Sequence, residues 1–207
     1  MQGLFVVVEG PEGAGKTTLV EGLAARLRDA GHRVLEVREP GGTETAEAAR
    51  ALVLDPDKQW SPAAELFLIL AARAELVEQL IRPHVDEGGW VVLSDRFDLS
   101  TEAYQIAGRG LPREEVLAAN KLATGGLAPD LTLVLDIPRQ VGRERQAAQG
   151  KSPDRMEQED EALHNRVARA FREAGGPGVV HLDATVTAER LESDAWEVLS
   201  ARLDGTP

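Results

Sequence analysis

The sequence predicts an α/β fold in which a five-stranded parallel sheet carries helices on both faces. Two observations point to it. Apolar runs such as Leu4-Phe-Val-Val-Val-Glu9 are continuous rather than alternating, as in strands buried on both sides. Segments of helical length and periodicity separate these runs, which is the order of a repeated α/β unit.

Leu4 to Glu9 is the first strand, and a glycine-rich turn leads from it into a helix over Thr17 to Ala30, stopped by Gly31. Arg33 to Arg38 is a second strand, followed by the turn Glu39-Pro-Gly-Gly42 and a helix from about Thr43 to Leu54. Ser61-Pro62 opens the longest helix, with Glu65 read as its capping-box partner, and the apolar pattern runs to about Ile81, ahead of Pro83 and Gly88-Gly89. Trp90 to Ser94, Leu131 to Leu135 and Val179 to Leu182 complete the strands. Further helices are predicted near Ser100–Ala107, Arg113–Thr124, Arg139–Ala148, Met156–Ala174 and Thr187–Arg202. No linker or repeat interrupts this order, so residues 1–207 are expected to form one domain.

Composition narrows the chemistry. The 207 residues contain no Cys, which leaves no thiolate nucleophile and no Cys-based metal site, and the four His (32, 84, 164 and 181) are too far apart for a metal-binding pair. A net charge of −12 repels polyanions and argues against a nucleic acid polymer as partner. The N-terminal segment carries no basic leader, and the longest apolar run, Leu66 to Ala72, is too short to span a bilayer. A cytoplasmic protein without membrane association is the expectation.

Gly10-Pro11-Glu12-Gly13-Ala14-Gly15-Lys16-Thr17 matches G-x-x-x-x-G-K-[ST] between a strand and a helix. In such a loop, consecutive backbone N–H groups and the helix N-terminus cradle phosphates, while the Lys bridges them and the hydroxyl serves Mg²⁺. Thr18 extends the same turn. The predicted fold is therefore of the P-loop NTPase type, with a nucleoside triphosphate and Mg²⁺ as ligands, and the loop alone leaves ATPases, GTPases, small-molecule kinases and ligases open. The N-K-x-D motif of a GTPase is missing, since Asn120-Lys121 is followed by Leu122 and Ala123.

Arg38 and Arg96 stand at or just after strand ends, and Arg50 and Arg73 lie on the helices that follow. Ligands of open α/β sheets bind outside the carboxyl ends of the strands, so these cations are placed to meet a second anion opposite the ATP phosphates. Four segments now resemble the bacterial thymidylate kinases: Glu9 to Thr18, Arg38-Glu-Pro-Gly-Gly-Thr43, Asp95-Arg-Phe-Asp-Leu-Ser-Thr-Glu-Ala-Tyr-Gln105 and Asp154-Arg-Met-Glu157. The middle two are specific to that family.

The resemblance implies phosphoryl transfer from ATP to dTMP, in dTTP biosynthesis, by a homodimer paired through its long helices. It implies that Arg38, Arg50 and Arg96 hold the dTMP phosphate, that Arg73 and Gln105 read the thymine edge, and that Ser100 and Thr101 line the same pocket. Glu12 would sit near the sugar 3′-hydroxyl, and Tyr104 would crowd out a ribose 2′-hydroxyl. Lys16, Asp95 and Arg96 are expected at the reaction centre, with Thr17 and Asp95 toward Mg²⁺. Gly142 to Arg155, rich in basic residues and glycine, resembles the family's mobile lid; its cations are Arg143, Arg145, Lys151 and Arg155, of which Arg143 and Arg155 are favoured as catalytic. The family commonly stacks a Phe on thymine four residues before the base-reading Arg; here that residue is Ile69, and the nearest aromatic is Phe67. Two other readings stay open at this level: a kinase of the same fold acting on another nucleoside monophosphate or a deoxynucleoside, and an ATP-binding regulator without transfer.

Overall fold

The computed structural model describes residues 3–148, 150 and 152–205. Strands β1 (Leu4–Glu9), β2 (Arg33–Arg38), β3 (Trp90–Asp95), β4 (Leu131–Asp136) and β5 (Val179–Asp183) form one sheet in the order β2-β3-β1-β4-β5. Every pairing is parallel, so all five carboxyl ends open on one edge. The helices are α1 (Lys16–Asp29), α2 (Glu44–Leu54), α3 (Pro62–Leu76), α4 (Arg82–Glu87), α5 (Asp98–Thr101), α6 (Arg113–Thr124), α7 (Arg139–Ala148), α8 (Glu161–Glu173) and α9 (Ala188–Leu203).

Successive side chains of a strand point to opposite faces, and β1 shows what its continuous apolar run is for. Val6 and Val8 pack with Leu19, Leu23 and Leu27 of α1 and with Leu191 and Leu199 of α9. Phe5 and Val7 pack on the other side with Leu76, Ile81 and Phe97. Full burial of each such side chain contributes about 1.5–3 kcal/mol, which fixes β1 at the centre of the sheet.

The structure corrects four readings of local structure. The longest helix does not stop near Ile81: α3 passes through a wide turn, Val77–Ile81, into α4, which includes Pro83. Pro83 lies just after that wide turn, where the shifted i→i−5 bonding accommodates a residue without an N–H inside a continuous helical run. Glu65 is not a capping residue, because it stands four places after Ser61 and the box needs three; Ser61 Oγ accepts from the Ala64 N–H at 3.3 Å, and the Glu65 carboxylate turns inward. The helix near Ser100–Ala107 is the short α5 followed by a wide turn, Glu102–Gly108. Finally, α8 begins at Glu161 rather than Met156, since Asp160 caps it by accepting from the Leu163 N–H at 2.7 Å.

Candidate active site

The glycine-rich loop joins β1 to α1 at the carboxyl edge of the sheet, and Gly15, with φ 94°, makes the left-handed turn into α1 that a side chain disfavours. The first amides of α1, with the positive end of its dipole, face outward toward an anion. Lys16 is buried and donates from Nζ to the Pro11 carbonyl at 2.8 Å, so its ammonium is held over the loop. Burial, followed by the nearby Arg96 charge, pulls Lys16 down to about 8, against Asp95, Glu12 and Glu9. Parallel pairing of β1 with β3 sets Asp95 beside the loop, where the Thr17 hydroxyl donates to Asp95 Oδ2 at 2.6 Å.

This hydroxyl and carboxylate are hard oxygen donors that suit Mg²⁺. Among the described residues no group of three or more His, Cys, Asp or Glu converges on one point, so phosphate oxygens and water would fill the rest of a shell, as is usual for Mg²⁺.

Facing the loop across a cavity of about 400 Å³ are Arg38, Arg50 and Arg96. Arg96 is central. It is the one non-glycine residue among those described with positive φ (76°), and its side chain donates to Gly10 O at 3.3 Å, Ser100 Oγ at 3.0 Å and the Tyr104 hydroxyl at 3.4 Å. The Tyr104 hydroxyl in turn donates to Glu12 Oε1 at 3.0 Å, so the two residues expected around the sugar lie side by side. Arg50 donates to Pro40 O at 2.6 Å, and Arg38 pairs with Glu47 at 3.0 Å. The Gly42 N–H, which donates to Glu47, and the Arg38 and Arg50 charges hold that carboxyl below its ordinary value.

At the far end of the cavity, Arg73 is buried with all five N–H groups engaged: Nε and one terminal nitrogen on Glu39 Oε2 (2.8 and 2.6 Å), and the rest on Phe97 O, Thr101 Oγ1 (2.7 Å) and Asn120 Oδ1 (2.6 Å). A base edge therefore meets Arg73 only by displacing one of these partners, which qualifies its expected role as a reader. Glu39 Oε1 is the one buried side-chain polar atom without a partner among the described residues, and burial pushes the Glu39 carboxyl up despite Arg73. Ile69 lines the cavity, whereas Phe67 is 63% exposed on the outer face of α3; the branched aliphatic chain, not the aromatic ring, is what a base would meet.

The residues expected in a lid divide. Arg143 is exposed on α7 and lines a second cavity that also touches Pro11 and Glu12 of the loop. Gly142 explains the close seating of α7: a Cβ there would lie 2.6 Å from Glu12 O, and one on Gly13 would lie 2.2 Å from Gly142 O. Arg145 lies further along α7, and Lys151 falls outside the described residues. Arg155 departs from the lid cation expected of it. It is buried, donating to Val53 O at 2.7 Å and to Glu65 Oε2 at 2.7 Å, so its guanidinium is turned into the protein rather than toward the loop.

Sequence reasoning missed three buried carboxylates: Glu9, Glu39 and Glu65. Glu9 could have been found, because a charge that ends a doubly covered strand needs a reason to be there. It accepts from the Phe97 N–H (2.8 Å), the Ser100 N–H (3.0 Å) and Ser100 Oγ (2.6 Å), and so shapes the turn that presents Arg96. Burial pushes Glu9 up to about 7 from 4.5, against Arg96 and these hydrogen bonds. A carboxyl raised in the fold adds stability below its unfolded value, and that stability is lost as pH climbs through the folded one. Urea unfolding from pH 5 to pH 8 should show the stability of Glu9→Gln gaining on wild type by up to about 3 kcal/mol. Parallel stability curves for the two proteins would refute this.

The family model described as thymidylate kinase matches residues 8–195. The thymidylate kinase of Deinococcus radiodurans is 45% identical over 204 residues, spanning 97% of this chain and 98% of that protein. That of Pseudomonas putida strain F1 is 46% identical over 208 residues, 99% of this chain and 98% of its own, and that of Ectopseudomonas mendocina is 44% identical over 208 residues with the same coverage. With a family model over residues 8–195 and relatives 44–46% identical over nearly the full length of both chains, the chain belongs to the thymidylate kinase family.

Proposed function

We propose that this chain transfers the γ-phosphoryl group of ATP to dTMP, giving ADP and dTDP for dTTP biosynthesis. The observation that carries the reading is the single cavity in which Lys16 and Thr17 face Arg38, Arg50 and Arg96, an arrangement of cations suited to two anions that react with each other. Family membership names the acceptor, since the relatives bear the name thymidylate kinase.

Transfer asks little covalent chemistry of the protein; it needs alignment and neutralisation of charge spread over the moving oxygens. Gly10 to Thr18 cradle the ATP phosphates, and Lys16 leaves Pro11 O to bridge them. Thr17 and Asp95 would hold Mg²⁺, which would supply charge neutralisation on the ATP phosphates. Arg96, with Arg38 and Arg50, grips the dTMP phosphate and aligns its oxygen for attack; Ser100 and Thr101 line that site. Glu12 and Tyr104 border the sugar, and Gln105 with Arg73 border the base. Arg143 is the lid cation that closes over the phosphates, in a one-domain enzyme whose lid excludes water.

A homodimer pairs through α3 and α6, whose outer faces expose Phe67 (63%) and Leu122 (85%). Phe67→Glu with Leu122→Glu should sediment as a monomer where wild type sediments as a dimer; two dimers would refute this interface. No described helix is long and apolar enough to cross a membrane, and a cytoplasmic location is part of the proposal. Coupled ADP release with ATP and Mg²⁺ against dTMP, dUMP, UMP, CMP, AMP, GMP and thymidine tests the reading. Turnover should be strongest with dTMP, and ATP binding without turnover of any acceptor would overturn it.

A further inference from the structure

Glu65 sits on the first turn of α3 with no exposure to solvent, and its two oxygens collect four hydrogen bonds. Oε1 accepts from Gln105 Nε2 at 3.0 Å and from Arg109 Nε at 3.0 Å; Oε2 accepts from Arg109 at 2.7 Å and from Arg155 at 2.7 Å. Glu159 closes the cluster on Arg109 and Arg155, so two carboxylates offset two guanidinium groups. A carboxylate in that setting only accepts, so the atom of Gln105 that faces it must be the amide nitrogen. The carbonyl oxygen of Gln105 is then the atom left for a ligand, and Gln105 lines the cavity at its base-binding end.

We propose that Glu65 is a positioning residue that fixes the polarity of the Gln105 amide, so that the acceptor site presents a carbonyl oxygen and selects pyrimidines carrying an N3–H. This rests on the dTMP kinase reading. Thymine and uracil donate from N3, whereas cytosine has a lone pair there and would set acceptor against acceptor. A site that leaves a buried polar group unpaired discriminates far better than one that only measures shape. The same carboxylate holds Arg155, the last residue of the expected lid segment, so the base reader and the foot of that segment share one anchor.

The test measures kcat and KM for dTMP, dUMP and dCMP, and KM for ATP, in wild type, Glu65→Gln and Glu65→Asp, with thermal unfolding of each. Glutamine at 65 can donate or accept, which frees Gln105 to turn over; aspartate keeps the charge for Arg109 and Arg155 but draws back from Gln105. In both variants KM for dTMP should rise about tenfold while kcat falls much less, and the preference for dTMP over dCMP should shrink about tenfold, with KM for ATP little changed. In a Gln105→Ala background, Glu65→Asp should add nothing further to KM for dTMP. Unchanged preference for dTMP over dCMP in Glu65→Asp, or equal losses for every acceptor and for ATP, would overturn the proposal. Wild-type enzyme inactive on dTMP would instead overturn the underlying reading, before any variant is compared.

Discussion

Alanine in place of Lys16 should lower kcat for dTMP phosphorylation by about three orders of magnitude, the range for a cation that meets charge developing in phosphoryl transfer. The expectation comes from where the ammonium sits. Lys16 is 7% exposed and makes its one side-chain hydrogen bond to the loop's own Pro11 carbonyl, so it is carried in place and spends little on other contacts. Removing it leaves a loop that still folds, since the glycines and the α1 amides set its shape. Single-turnover ADP formation separates this loss from weaker ATP binding. Because Lys16 titrates at about 8, the free enzyme should lose kcat/KM for ATP as pH rises through that value, where the ammonium gives up its proton. Lys16→Arg, charged throughout, should retain part of the activity and lack that alkaline limb. A Lys16→Ala enzyme within tenfold of wild type would remove Lys16 from the transfer step.

The sheet was legible because burial on both faces writes itself as uninterrupted apolar runs, and each of the five strands lies within one residue of its predicted end. The phosphate loop was legible for a different reason: its chemistry needs specific residue types at fixed spacing in a local segment. The helix boundaries around Pro83, Met156 and Ser100 were less so. Their limits are set by side chains such as Asp160, and by wide turns that a 3.6-residue period does not reveal.

Long-range partnerships explain the remaining differences. Arg155 and Glu65 are 90 positions apart, and neither sequence neighbourhood announces the other. A basic residue in a glycine-rich segment reads as a lid cation, a locally sound reading that tertiary contact decides against, whereas the cap reading of Glu65 fails already on spacing, four places after Ser61. Arg73 repeats the lesson in milder form. Its position on the cavity follows from α3, but the saturation of all five donors by Glu39, Phe97, Thr101 and Asn120 comes from three other parts of the chain. Charged residues are thus the part of this molecule where type and position along the chain say least about partner.

For the acceptor, Arg96→Ala should lower kcat/KM for dTMP by about a thousandfold, through both a higher KM and a lower kcat, with KM for ATP changed little. Arg96 differs from Arg38 and Arg50 in being locked before substrate arrives. The Ser94 hydroxyl donates to its carbonyl at 2.7 Å, its own N–H donates to Val8 O at 3.0 Å, and its guanidinium is tied to Gly10, Ser100 and Tyr104. A positive φ of 76° in a residue with a side chain costs on the order of 1–3 kcal/mol, and it is the β3 exit that aims the guanidinium at the loop. Arg38, with half of its side chain exposed (49%), orders more on binding, so Arg38→Ala should cost less than Arg96→Ala. Lysine at 96 restores a point charge without the planar fork and should recover only a minor part of the activity. Glycine at 96 separates backbone from side chain: it relieves the strained φ and should unfold no earlier than the alanine variant, yet be as inactive. If Arg96→Ala and Arg96→Gly both keep normal dTMP turnover, the phosphate of the acceptor lies somewhere other than between this arginine and the ATP loop.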